Sequence, residues 1–128
     1  MRKVVVASDS FKGCLSSWQV AEAVEKAIHD VMSGCDVVKL AVADGGEGSM
    51  EALVTTLGGR TVNLIVSDPL GRPVKADYAM LDDSTAVIEM ARASGLTLLF
   101  QEERNPMLAS TYGTGQLISD ALGKGCRR

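Results

Sequence analysis

Twice within the first sixty residues a short apolar run passes through a polar loop into a segment of helical period, and this repetition constrains the fold more than any other feature. Val4–Ala7 is rich in β-branched residues, as expected of a parallel strand covered on both faces. Asp9–Gly13 reads as a loop. Ser16 and Gln19 then form a capping box with Leu15 and Val20 in the staple positions, which predicts a helix beginning at Ser17. Val20, Val24, Ala27, Ile28 and Val31 fall on one stripe, and Gly34 is placed to end the helix in a left-handed conformation. Val37–Ala43 supplies a second strand, followed by a helix with Met50, Leu53, Val54 and Leu57 on one face and Gly58–Gly59 at its end. This order argues for a parallel sheet with right-handed crossovers, in which ligands gather beyond the carboxyl ends of the strands. Asp9–Lys12 and Asp44–Ser49 are expected at that edge.

The period then changes. Val62, Leu64 and Val66 alternate with more polar residues, Asp68–Pro69–Leu70–Gly71 suits a type I turn, and Val74, Ala76, Tyr78 and Met80 return with period two. After a turn at Asp82–Ser84, Ala86–Met90 is expected as a third strand. The fold class is therefore α/β: a parallel, Rossmann-like start over residues 1–60, then an antiparallel hairpin that begins a second α/β domain over 61–128. An antiparallel extension of one sheet is the alternative. Gln101–Asn105 reads as a charged loop, and Pro106 biases Asn105 away from helix. Ser110–Gly115 leads into a last helix with Leu117, Ile118, Ala121 and Leu122 on its apolar face. Cys126–Arg127–Arg128 follows without a further strand and reads as an interrupted polypeptide.

With 128 residues, 46% of them hydrophobic, the chain can bury a real core. A net charge of -3 gives no electrostatic footprint for nucleic acid, and no apolar run approaches the roughly 20 residues needed to span a bilayer. Cys14, Cys35 and Cys126 are odd in number and widely spaced, which supports neither a zinc site nor a disulfide framework. A reducing cytoplasm is the expected setting, with no membrane or nucleic-acid partner.

The chemistry-bearing residues concentrate in three loops. Ala43–Asp44–Gly45–Gly46–Glu47–Gly48–Ser49 sets three glycines and two carboxylates before a helix, a composition suited to holding an anion or a metal and equally to a tight strand-to-helix turn. Asp9, Ser10 and Lys12 bring a carboxylate, a hydroxyl and a cation together after the first strand, although Lys12 also reads as a solvated lysine and Asp9 as a turn residue. Ser110, Thr111 and Thr114, with Gly113 and Gly115, can offer hydroxyl and amide hydrogens to an anion or serve as N-cap residues. Arg104 suits a carboxylate or phosphate, with a surface ion pair to Glu102 or Glu103 as the commoner outcome. Glu89 interrupts an apolar run and is expected to face water; His29 reads as a surface residue, and Trp18 as packing rather than stacking. The glycines fit neither G-x-G-x-x-G nor a P-loop, so any nucleotide site follows another pattern.

The chain resembles the amino-terminal part of the bacterial-type glycerate kinase family. The matching segments, in order, are Asp9–Ser10–Phe11–Lys12, Ala43–Asp44–Gly45–Gly46–Glu47–Gly48, Pro69–Leu70–Gly71, Glu89–Met90–Ala91, Arg104–Asn105–Pro106 and Tyr112–Gly113–Thr114–Gly115. Family members are considerably longer, with two α/β domains and a further glycine-rich phosphate-binding segment. The resemblance implies ATP-dependent phosphorylation of D-glycerate to 2-phosphoglycerate with Mg2+, a reaction that asks for alignment and charge neutralisation. It implies that Asp9 and Asp44 handle the metal or the attacking hydroxyl, and that Lys12 and Arg104 hold anionic oxygens. Gly45, Gly46 and Gly48 would shape an anion-binding turn, with Ser10, Ser110, Thr111, Gly113 and Thr114 lining the same cleft. Gly13–Cys14 departs from the family's usual pattern of a longer polar residue and a hydroxyl. Alone, the chain is expected to be inactive and to require the remainder of the kinase or a homo-oligomer. A non-catalytic small-anion module and an interaction fragment are the competing readings.

Overall fold

The computed structural model describes residues 2–11, 14–42, 45–46 and 48–128. Two compact units, Met1–Ala52 and Leu53–Arg128, divide the chain. The first contains β1 (Lys3–Ser8), α1 (Ser17–Val31) and β2 (Asp36–Ala41), and α2 (Ser49–Leu57) begins in it. β1 and β2 pair in parallel, in a register running from Lys3 opposite Asp36 to Ser8 opposite Ala41. Because α1 connects them, both strands point the same way, and the loops that follow them leave from one edge of the sheet.

The predicted start of α1 is present in full. Ser16 Oγ accepts from Gln19 N at 3.2 Å, and Gln19 Oε1 accepts from Ser16 N at 2.9 Å. The apolar stripe is only partly covered: Val20 and Ala21 are buried, whereas Val24 and Val31 are exposed. α1 rests on the sheet face that carries Val6 and its register partner Lys39, whose Nζ lies 2.6 Å from Glu25 Oε2 and 4.9 Å from the centroid of Trp18. Trp18 is thus half-exposed under a cation and bonds Glu22, rather than packing into a core. Val5, one residue from buried Val6 and so on the opposite face, is 55% exposed.

The second unit is built on β3 (Arg60–Ser67), β4 (Pro73–Met80) and β5 (Ala86–Val87), antiparallel in sequence order. α3 (Ala91–Ser94) packs on β4 and α4 (Tyr112–Gly123) on β3. The predicted third strand is shorter than expected. The carbonyls of Glu89 and Met90 accept from Arg92 N, Ala93 N and Ser94 N, which turns the chain into α3 instead of extending β5 to Met90. Tyr78 and Leu117 are fully buried, with Val66, Ala76, Met80, Ala93, Ala121 and Cys126 around them. Ile118 and Leu122, expected on the apolar face of α4, are about half exposed. Gly113 decides how closely α4 approaches β3: a Cβ there would lie 1.9 Å from the Ser67 carbonyl oxygen. Cys14 is exposed, Cys35 and Cys126 are buried, and all are free.

Candidate functional site

Register places the first two predicted loops. Ser8 opposite Ala41 means that Asp9–Phe11 and the glycine segment start from neighbouring positions at the carboxyl edge of the parallel pair. Asp9 Oδ1 accepts from Ser10 N at 2.7 Å, a local turn that leaves Oδ2 without a bond from another described residue. Phe11 N and Leu15 O close the following turn at 2.8 Å. Gly45 and Gly48 adopt φ of 94° and 91°, a region that favours glycine, and Ser49 N donates to the Gly46 carbonyl at 3.2 Å as α2 begins. The hydroxyls of Ser10 and Ser49 are shielded from solvent and have no hydrogen-bond partner in the described structure. Two unmatched hydroxyls at one sheet edge suit a polar ligand, because burying such groups unpaired is unfavourable. Lys12 and Asp44, proposed from sequence as catalytic residues, lie outside the described residues.

Magnesium is the metal that the family resemblance implies. Mg2+ usually takes one or two carboxylates together with substrate oxygens and water, and the Asp9 carboxylate and the shielded Ser10 and Ser49 hydroxyls are oxygen donors of that kind. Among the described residues no group of three or more His, Cys, Asp or Glu is positioned to hold a metal.

The second unit gathers the remaining candidates on the β3–β4 turn and the segment after α3. Asp68 is 5% exposed; its Oδ1 accepts from Leu70 N and Arg72 N, each at 2.8 Å, and its Oδ2 lies 2.6 Å from Arg72 Nε. Burial works against the Asp68 charge, but the Arg72 side chain and these N–H groups outweigh it and hold the carboxyl below its ordinary value. The other face of Arg72 meets Glu103, with Nη1 2.7 Å from Oε1 and Nη2 3.3 Å from Oε2. Arg72 first, and the Phe100 N–H second, lower the Glu103 carboxyl. The guanidinium is correspondingly raised, most by Glu103 and next by Asp68.

Sequence adjacency pointed to Glu102 or Glu103 as the partner of Arg104, and the structure gives Glu103 to Arg72 instead. Arg104 Nη2 reaches the Leu96 carbonyl at 3.3 Å, and among the described residues no carboxylate pairs with it. Ser110 N donates to the Pro69 carbonyl at 2.9 Å, and Ser110 Oγ accepts from Tyr112 N at 3.1 Å, a cap-like role at the start of α4. Thr114 Oγ1 is engaged with Ser94 Oγ at 2.7 Å, and Gly113 is fixed by its approach to Ser67. Thr111 sits at the N-cap without a side-chain bond to the helix. Ser110, Thr111 and Arg104 therefore retain exposed polar atoms, while Gly113 and Thr114 have structural explanations of their own.

Glu89, expected to face water, is buried, with its carboxylate 3.8 Å from Arg92 Nε, and Arg92 Nη1 lies 3.6 Å from Asp77. The turn of α3 carries it inward, where a strand would have left it at the surface. An open depression of about 530 Å³ runs along α4, lined by Gln116, Ser119, Asp120, Gly123 and Lys124, none of them a predicted site residue. Asp68, Arg72 and the Glu103 contact were missed in the sequence. The Asp-Pro-Leu-Gly turn signalled the Asp68 end, but nothing local announces a pair 31 residues apart.

The sequence model of the glycerate kinase family matches residues 4–128. The chain belongs to the glycerate kinase family. It is 49% identical over 127 residues to a glycerate kinase of Bacillus subtilis (strain 168), covering 98% of this chain and 33% of that protein. Against the glycerate 2-kinase of Escherichia coli (strain K12) the identity is 43% over 124 residues, 96% of this chain and 32% of the relative. A crystal structure of a Salmonella typhimurium LT2 protein provisionally assigned as glycerate kinase 2 superposes with a TM-score of 0.71 at 42% identity, covering 98% of this chain and 34% of that one. The chain thus spans about a third of the length of the relatives it matches. No helix among the described residues is long and apolar enough to cross a membrane.

Proposed function

We propose that this chain supplies the amino-terminal third of a cytoplasmic glycerate kinase that transfers a phosphoryl group from ATP to D-glycerate, giving 2-phosphoglycerate, and that by itself it is inactive. The observation carrying this reading is the parallel register of β1 and β2, which delivers the Asp9–Phe11 turn and the Gly45–Ser49 turn to one sheet edge in a chain of this family. Phosphoryl transfer depends on aligning donor and acceptor and neutralising the oxygens between them. In this reading Asp9 and Asp44 orient the glycerate hydroxyl and hold the cation. Gly45, Gly46 and Gly48 let backbone N–H groups approach anionic oxygens, with the Ser10 hydroxyl beside them. Lys12 and Arg104 neutralise negative oxygens, and Ser110, Thr111, Gly113 and Thr114 contribute hydroxyl and amide donors near the start of α4. Mg2+, when bound, would supply charge stabilisation on the transferring oxygens.

The test is a phosphoryl-transfer assay with ATP, Mg2+ and D-glycerate. The chain alone is expected to show no turnover, and adding a separately expressed carboxyl-terminal two-thirds of the Bacillus subtilis relative is expected to restore it. Robust turnover by the isolated chain would show that the further segments of the relatives are dispensable. Saturable glycerate binding by calorimetry, with no turnover even after complementation, would favour a small-anion module instead.

A further inference from the structure

We infer that Arg72 is a positioning residue that keeps Arg104 available to an anion by occupying Glu103, the carboxylate beside Arg104 in the chain. The use of Arg104 for anionic oxygens rests on the proposed function; the pairing itself does not. Three nitrogens of Arg72 are engaged by carboxylates: Nε by Asp68, and Nη1 and Nη2 by Glu103. So committed, Arg72 is a poor ligand for a substrate oxygen. Glu103 is equally occupied, since Oε2 also accepts from Phe100 N at 3.1 Å. Arg104, one residue on, is left with the Leu96 carbonyl. A bidentate carboxylate is a strong competitor for a guanidinium, so a Glu103 released from Arg72 would turn to Arg104, the cation next to it in the chain. Glu102, the other carboxylate in the segment, is exposed and solvated. The Ser110 N to Pro69 O bond ties the far end of the same segment to the same turn, so loss of Arg72 leaves the loop attached while changing the partner of Glu103.

The experiment follows the side-chain Nε–Hε resonance of Arg104, with inorganic phosphate as the probe. In the native chain phosphate is expected to shift that resonance saturably. Arg72→Met is expected to weaken the response about tenfold, the scale of losing one charge-assisted contact. The double variant Arg72→Met/Glu103→Gln is expected to return it to within about twofold of native, because the competing charge is gone. A double variant as weak as the single one would overturn the inference, since Arg72 would then act only by fastening the loop. An unchanged Arg72→Met would overturn it as well. If Arg72→Met does not fold, Arg72→Lys keeps a charge for Asp68 while losing the fork on Glu103, and carries the same expectation.

If phosphate never shifts Arg104 in the native chain, the anion role given to that residue fails. The pairing is still decided without phosphate: slower Hε exchange at Arg104 in Arg72→Met supports it, and unchanged exchange refutes it.

Discussion

The two units differ in whether they fully enclose a large side chain. In Leu53–Arg128, Tyr78 and Leu117 are fully enclosed and α3 and α4 close over the sheet. In Met1–Ala52, a two-stranded parallel sheet carries α1 on one side, while Val5, Leu40 and Val31 remain exposed. Parallel strands are normally covered on both faces, and their β-branched runs are composed for that burial. The second unit therefore encloses a core while leaving Ile65, Phe100 and Met107 exposed around it, whereas the first leaves one face of its parallel sheet uncovered. The relatives contain additional chain that could cover that face, since the match spans a third of their length.

The largest test of this contrast is a core truncation. Leu117→Ala should destabilise the second unit by about 3 kcal/mol, combining lost transfer energy with a residual cavity. Val31→Ala, at a residue 80% exposed, should change stability by less than about 0.5 kcal/mol. Residue-resolved hydrogen exchange in urea separates the units, and equal losses from both substitutions would erase the distinction.

Charge sharpens the comparison next, because Asp68, Glu103, Asp120 and Tyr78, whose ionisation is clearly perturbed, all lie in the second unit. Burial first, and the Asp120 hydrogen bond second, push the Tyr78 phenol up to about 12 from 10.0. A phenol held neutral in the fold stabilises below its unfolded pKa, and that contribution is lost as pH rises from about 10 towards 12. The lowered carboxylates act in the opposite direction: their contribution is complete above the unfolded values of 3.8 and 4.5 and disappears as pH falls through the lower folded ones. A fluorescence or exchange titration should show the second unit losing stability at both extremes. Tyr78→Phe should remove the alkaline loss and leave the acid one, and an unchanged alkaline midpoint would assign that loss elsewhere.

Local signals made much of this fold readable. Ser16 with Gln19 announced the start of α1, and Asp68–Gly71 announced the β3–β4 turn, because capping and turn chemistry act over a few residues. Glu89 was placed wrongly for the same reason: a run of apolar residues around it reads as a strand, while the carbonyls of Glu89 and Met90 begin a helical turn. Val24 and Val31 carry a burial signal that the described structure does not use, since period reveals an apolar face and not what covers it. The candidate loops were legible through Asp9, Ser10 and the glycines. The Arg72–Glu103 pair was not, because its members are far apart in sequence and meet only in the folded second unit. Adjacency favoured Glu103 with Arg104, and tertiary structure chose the longer connection.

A smaller effect should appear at the cap. Ser16→Ala removes the Ser16 Oγ half of the capping box at α1, leaving the backbone N to Gln19 Oε1 bond, and should cost about 1 kcal/mol in the first unit alone. Exchange should quicken at Gln19 and Val20 and stay level in β3 and β4. A loss shared with the second unit would mean that the two unfold together.

The smallest expected effect is also the most discriminating. Val5→Thr keeps the β-branched shape and adds a hydroxyl on the uncovered face of β1, so in the isolated chain it should change stability by less than about 0.5 kcal/mol. If the carboxyl-terminal portion of a full-length relative covers that face, the same hydroxyl becomes a buried polar group and should weaken complementation by about tenfold, the equivalent of roughly 1.4 kcal/mol. Comparing urea melts of the isolated chain with titrations of the carboxyl-terminal portion, for native and variant chains, separates the two situations. An equally silent substitution in both would mean that Val5 stays solvent-facing in the assembled protein, and the exposed face of the first unit would need no partner at all.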